Sequence, residues 1–207
     1  MKGLIIKDIL NLKKNLRTTL LMIIVFTFMA YGSGDPSYII GMTVLIFTTM
    51  SITSMAYDEL AKWDSYALSM PISRRNIVLS KYVLSIILSV LSVVISTIIS
   101  YVLILPKSDM NGFELLLTSY IVFGISILFI CVILPLIYKF GVEKSRLLMI
   151  GVISIPTVIF LAINKLNINM PGEKQFIMLL KISPLLLIIF LFISSFISYR
   201  IYKNMDI

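Results

Sequence analysis

Residues 58–81, DELAKWDSYALSMPISRRNIVLSK, are a charged island between two apolar runs, 38–57 and 82–105. Each run matches the ~20 apolar residues needed to cross a hydrocarbon core. The island holds seven charges with a Trp, a Tyr and a Pro. In a membrane-embedded chain, such a connection is the part suited to touching a soluble partner.

Composition agrees with embedding. The chain has 207 residues, 59% hydrophobic and 14% charged, with mean hydropathy +1.03. So few charges cannot cover the surface of a soluble domain. The net charge of +8 does not indicate nucleic acid, because Lys and Arg cluster at the ends of apolar runs, where headgroups and the insertion machinery read them. No histidine is present, which removes Ser-His and Cys-His dyads, HExxH zinc sites and His proton relays. Cys131 stands alone inside an apolar run, so no intrachain disulfide is expected. The abundance of Ile, Lys and Asn hints at an AT-rich bacterial genome.

Reading outward from the island gives six spans in one all-α membrane domain over 1–207. They fall at about 18–31, 38–57, 82–105, 115–138, 147–163 and 182–199. The cluster Gly32-Ser33-Gly34-Asp35-Pro36 marks the first turn, Pro106 ends the third span, and Pro156 is expected to kink the fifth. Residues 139–146 read as a basic loop and 164–176 as a polar one. In residues 2–17, Ile5, Ile9, Leu12 and Leu16 share one helical face while Lys7, Asn11, Lys14 and Arg17 occupy others. That pattern predicts an uncleaved interfacial helix rather than a signal peptide. Fourteen of the 18 Lys and Arg lie in the N-terminal segment, 58–81, 139–146 and the tail. The positive-inside rule places those segments and both termini in the cytoplasm.

No Asp, Glu, Lys or Arg falls inside these spans, which argues against an ion-coupled transporter or an intramembrane protease. Energy for any transport must then come from a separate ATPase. Ser85, Ser89, Ser92, Ser96 and Ser100 fall on one helical face of the third span. They form either a packing seam or a polar wall of a cavity, and packing is preferred because small residues mark helix contacts.

Within the island, Asp58 is placed to cap a helix over 58–69, with Glu59 in its first turn. Leu60, Trp63 and Ala67 follow at i, i+3 and i+7, with Tyr66 beside them, and Pro71 stops the helix. A Trp-centred face can enter a partner's groove. Equally, Trp63 and Tyr66 can anchor at headgroups while Arg74 and Arg75 fix topology.

The run from Asp58 to Tyr82 closely resembles the intracellular loop of ABC-2 type permeases, with Glu59, Pro71, Ser73, Arg74 and Lys81 where that family's pattern has them. Size and the W-D-x-Y variant are most similar to small bacterial exporter permeases, such as the membrane subunits of phenol-soluble modulin or antimicrobial-peptide exporters. The resemblance implies a non-enzymatic permease subunit of the bacterial cell membrane. It implies two cytoplasmic ATPase subunits that bind ATP and Mg, since this chain has no GxxxxGK[ST] segment. It also implies a second permease, identical or paralogous, and a coupling helix presenting Asp58, Glu59, Leu60, Trp63, Tyr66, Ala67, Pro71 and Arg74. The implied cargo is amphipathic or antimicrobial peptide, or other hydrophobic molecules. The alternative is a peptide-immunity or sensing subunit without net transport.

Orientation is directly testable. In a Cys131→Ser background, an impermeant thiol reagent on whole cells should label Asn167→Cys and spare Asn76→Cys; the reverse pattern inverts the topology.

Overall fold

The computed structural model describes residues 1–104, 106, 110–165 and 173–205, with the side chains of Leu68, Ile104, Ile153, 155–164 and 173–179 excepted. Among the described residues it is entirely helical. The helices are α1 (Lys2–Leu12), α2 (Leu16–Ser33), α3 (Pro36–Leu60), α4 (Trp63–Ser69), α5 (Arg74–Ile99), α6 (Gly112–Phe140), α7 (Val142–Lys165) and α8 (Glu173–Lys203). A 3₁₀ turn, Lys13–Asn15, joins α1 to α2, and a π-helical turn, Ser100–Ile104, continues α5.

Five helical stretches among the described residues are long and apolar enough to cross a membrane: Lys2–Ser33, Pro36–Leu60, Arg74–Leu103, Gly112–Phe140 and Leu180–Lys203. The expected span 147–163 falls on α7, and the side chains of 153 and 155–163 within it are outside the described residues. The helices overrun the predicted spans because charged and polar residues continue them instead of ending them. The supposed loop 139–146 reduces to one residue, Gly141, between α6 and α7. Of the expected loop 164–176, residues 166–172 lie outside the described residues, and α8 already begins at Glu173.

Local chemistry sets the ends. Gly34 closes α2 in the left-handed conformation (φ 73°), where glycine carries no Cβ penalty. Asp35 then caps α3: its carboxylate accepts the Ser37 N–H at 2.8 Å, with Pro36 in the first turn. Ser73 caps α5, its hydroxyl accepting the Asn76 N–H at 3.3 Å. Glu114 reaches back to the Asn111 N–H at 3.2 Å at the start of α6.

Among spanning helices no hydrophobic effect favours association, so close packing and hydrogen bonds must hold them. The most extensive contacts are α6 with α8 and α3 with α5. Tyr82 of α5 bonds Ser194 and Ser198 of α8 at 2.6 and 2.8 Å, and Ser194 donates to the Cys131 carbonyl of α6 at 2.6 Å. Tyr120 of α6 meets Ser183 of α8 at 2.6 Å, and Thr97 meets Ser119 at 2.9 Å. Apolar side chains on the outer faces, among them Phe28 (78% exposed) and Phe192 (72%), suit lipid.

The α6–α7 turn depends on Gly141. Its φ of +79° and ψ of 171° are open essentially to glycine alone, and a Cβ would sit 3.1 Å from Glu59 Oε1. The Glu59 carboxylate accepts the Val142 N–H at 2.8 Å, capping α7. Gly141→Ala should cost about 1–3 kcal/mol in backbone strain and lower the apparent Tm in detergent by several degrees. An unchanged Tm would refute the strained-turn account.

Candidate functional site

The chemistry-bearing residues gather at one end of the bundle. There α3 leaves, α4 crosses, α5 enters, α6 turns into α7, and α8 ends. The centre is a four-residue ionic cluster. Lys81, on α5 and 5% exposed, donates to both Asp8 oxygens at 2.9 Å, to Asp58 Oδ2 at 2.5 Å and to Ser54 Oγ at 3.2 Å. Lys7 bridges the same acids, at 2.6 Å from Asp58 and 3.1 Å from Asp8. Two ammoniums and two carboxylates leave no net charge, as a buried cluster requires.

The cluster corrects three expectations. First, Asp58 does not cap the coupling helix. It sits in the last turn of α3, which runs on to Leu60; the chain then turns at Lys62 (φ 47°), and α4 begins only at Trp63. An anion near a helix C-terminus is unfavourable by itself, and the lysines reverse that cost. Second, Lys81 does not merely flank the third span. It lies seven residues into α5, roughly two turns at ~3.6 residues per turn, so the helix is free of charge only beyond it. Third, the four apolar residues expected on one face do not share one environment: Leu12 is buried with Leu4 and Asp8, whereas Ile9 and Leu16 are exposed at 47% and 46%. Asp8 went unnoticed in the sequence, although its spacing of four from both Leu4 and Leu12 carried the signal.

The remaining island residues divide between internal work and exposure. Ala67 is fully buried, and Trp63 packs partly into the same core. The Trp63 ring also lies 4.2 Å from Lys7 Nζ, a cation–π contact, and 5.4 Å from the Tyr66 ring. Leu60 (83% exposed) and Tyr66 (57%) point outward. Thus Leu60, Trp63 and Ala67 do not share one free face, because α4 starts five residues later than expected and its inner side is packed. Pro71 is exposed, and α4 has already ended at Ser69, with Met70 extended before the proline. Arg74 Nη1 donates to the Tyr202, Lys203 and Met205 carbonyls at 3.2, 2.6 and 3.4 Å, capping α8. Tyr202 donates to Asp64 at 3.0 Å, tying α4 to α8. Burial pushes the Asp64 carboxyl above its ordinary value, and the Tyr202 hydroxyl only partly offsets this.

All five serines of the stripe are buried: Ser85, Ser89, Ser92, Ser96 and Ser100. Ser85 bonds back to the Lys81 carbonyl at 2.8 Å and Ser92 to that of Ser89 at 2.7 Å. Buried Thr43, Ser51 and Ser54 belong to α3, which packs along α5. Two hollows open on the surface. One, of about 340 Å³, lies beside the ionic cluster between Leu4, Lys7, Trp63 and the 70–72 turn. The other, of about 330 Å³ and mostly apolar, lies between Thr97, Tyr101 and Leu115. None of the stripe serines lines either.

The bundle is multi-pass and helical, and its buried ion pairs gather at one end. Residues 3–203 match the model of the ABC-2 family transporter proteins, and the chain belongs to that family. Such proteins are membrane subunits that work with an ABC ATPase. No curated protein and no solved structure matches the chain.

Removing one partner of the cluster should be costly. Lys81→Met strands two buried carboxylates on Lys7 and should destabilise by about 3–5 kcal/mol, seen as loss of monodisperse protein. Lys81→Met with Asp8→Asn leaves a balanced Lys7–Asp58 pair and should recover much of the yield; equal losses in both variants would refute the charge-balance account.

Proposed function

We propose that this chain is the permease of an ATP-driven bacterial exporter. Two copies, or one copy and a paralogue, form the membrane core over two ATPase subunits, which bind ATP and Mg. Family membership across nearly the whole chain carries this reading. In it, the polar end faces the cytoplasm, as fourteen of 18 Lys and Arg require under the positive-inside rule. α1 lies in the headgroup plane, with Ile6, Ile9 and Leu10 turned to lipid.

Helix α4 is the coupling element. Leu60 and Tyr66 offer apolar surface on either side of the left-handed turn at Lys62 that sets this short helix off from α3. Closure of the ATPases pushes α4, and the ties of Trp63, Asp64 and Arg74 carry that push to α1 and α8. The cargo is amphipathic or antimicrobial peptide or another hydrophobic molecule, in keeping with the 12 Met and 12 Phe of the chain and the adaptability of Met-rich surfaces. The buried serine stripe serves helix packing rather than the path.

Because Glu59 and Trp63 have internal partners, surface variants give the cleaner test. Leu60→Ala and Tyr66→Ala should lower ATPase co-purification and stimulated hydrolysis several-fold while apparent Tm stays unchanged. Vesicles holding permease and ATPase should take up an amphipathic peptide in an ATP-dependent way. Full hydrolysis coupling in both variants would remove α4 as the contact, and ATP turnover without peptide flux would favour a sensing or immunity role.

A further inference from the structure

The ionic cluster ties α1 to α3 and α5, and Trp63 of α4 lies over its most exposed member, Lys7. On α1 only Leu4, Asp8 and Leu12 are buried, and Ile6, Ile9 and Leu10 are exposed. Asp8 is therefore the one polar anchor among α1's buried residues. Side-chain exposure rises across the cluster, from 1% at Asp8 through 7% at Lys81 and 10% at Asp58 to 22% at Lys7. The gradient points toward the hollow of about 340 Å³, whose lining includes Leu4, Lys7, Trp63, Met70, Pro71 and Ile72. Lys7 and Trp63 both line that hollow, and the indole ring lies over the ammonium, 4.2 Å from Lys7 Nζ, covering part of the cluster's most exposed member. Residues 70–72 close the far wall and belong to the connection that leaves α4.

We propose that Lys7, Asp8, Asp58 and Lys81 form a latch on α1 that Trp63 keeps dry, so that displacing α4 wets the latch and frees α1 from α3 and α5. The physical basis is the dielectric dependence of charge attraction. Attraction at fixed distance falls about fourfold as the effective dielectric constant rises from ~20 to ~80. Exposed charges are further screened by salt, with a Debye length of about 10 Å at 0.1 M. Enclosed pairs feel neither effect. Moving one indole ring therefore changes the hold on a neighbouring helix without breaking any covalent or helical segment. The latch uses α4 as its lid, and its link to the nucleotide cycle rests on the reading of α4 as the ATPase contact.

The test measures the position of α1 in the full chain, in nanodiscs without any ATPase. Nitroxides are attached at Lys2→Cys and Arg75→Cys, both exposed in the parent, in a Cys131→Ser background, and their distance distribution is recorded by pulsed EPR. Trp63→Ala should enlarge a longer-distance population by about threefold or more, Asp8→Asn should do the same, and Trp63→Phe should leave it near the parent value. Raising NaCl from about 50 mM to about 500 mM should enlarge that population in Trp63→Ala and not in the parent, because only an opened cluster is screened. A parent-like distribution in Trp63→Ala, or a salt response equal in both proteins, overturns the latch. Adding the ATPase with a non-hydrolysable ATP analogue then separates the two ideas: a shift in the parent joins the latch to the nucleotide cycle. If the variants shift but the ATPase has no effect, the latch stands and α4 falls as the contact.

Discussion

The buried ammonium of Lys81 is the constraint around which the rest of this bundle is arranged. Taking a single ion out of water costs several kcal/mol even after relaxation. Only a site that supplies its full complement of acceptors can hold it. Asp8, Asp58 and Ser54 supply them from two other helices, and Lys7 neutralises the second carboxylate. A cluster of this kind adds little net stability compared with apolar packing of the same volume. What it adds is selectivity of arrangement. Sliding α1 or α5 by one turn would leave a carboxylate or an ammonium unpaired, so the three helix ends meet in one register.

That pinning contrasts with the middle of the bundle. Deep in the spans, the helices touch through small hydroxyl-bearing residues whose bonds are individually weak. The hydroxyls of Thr43, Ser51, Ser89 and Ser100 find no partner among the described residues at all. At the charged end, by contrast, several helix termini are tied to other elements. Glu59 caps α7, Arg74 caps α8, Tyr202 holds Asp64 of α4, and Lys7 meets Trp63. Ionic and helix-capping ties are thus concentrated at one end. On the proposed coupling role, a push delivered at that end would be shared among several helices.

The sequence made the class of the molecule legible and the wiring only partly so. Long apolar runs bounded by Lys and Arg read directly as membrane helices, because bilayer thickness fixes their length. Turn chemistry was equally plain at Gly34-Asp35-Pro36, where side chains and φ preferences act over two or three residues. The start of α4 was misplaced because Asp58 has the right identity for a cap, and identity alone does not disclose that its carboxylate is already taken by Lys81, 23 positions away. Gly141 looked like one residue of a basic loop, since nothing local shows that Glu59 reaches across to Val142. The serine stripe was visible at helical spacing, but whether it faced protein or a path depended on the placement of α3. Each miss involves a partner distant in the chain, which local periodicity cannot register.

The island therefore carries two kinds of demand in 24 residues, and they fall on different side chains. Asp58, Glu59, Asp64, Arg74 and Lys81 face inward and connect α1, α3, α5, α7 and α8, so their identities are dictated by the protein's own interior. Leu60 and Tyr66 face outward. Trp63 belongs to both sets: it packs into the core, covers Lys7, and touches Tyr66. On the proposed coupling role, a residue with one face on the surface aromatic and the other on Lys7 would link an external contact to the ionic cluster. Loss of function on changing Trp63 would not by itself distinguish docking from transmission, whereas Leu60 and the cluster charges act on one side of that route each.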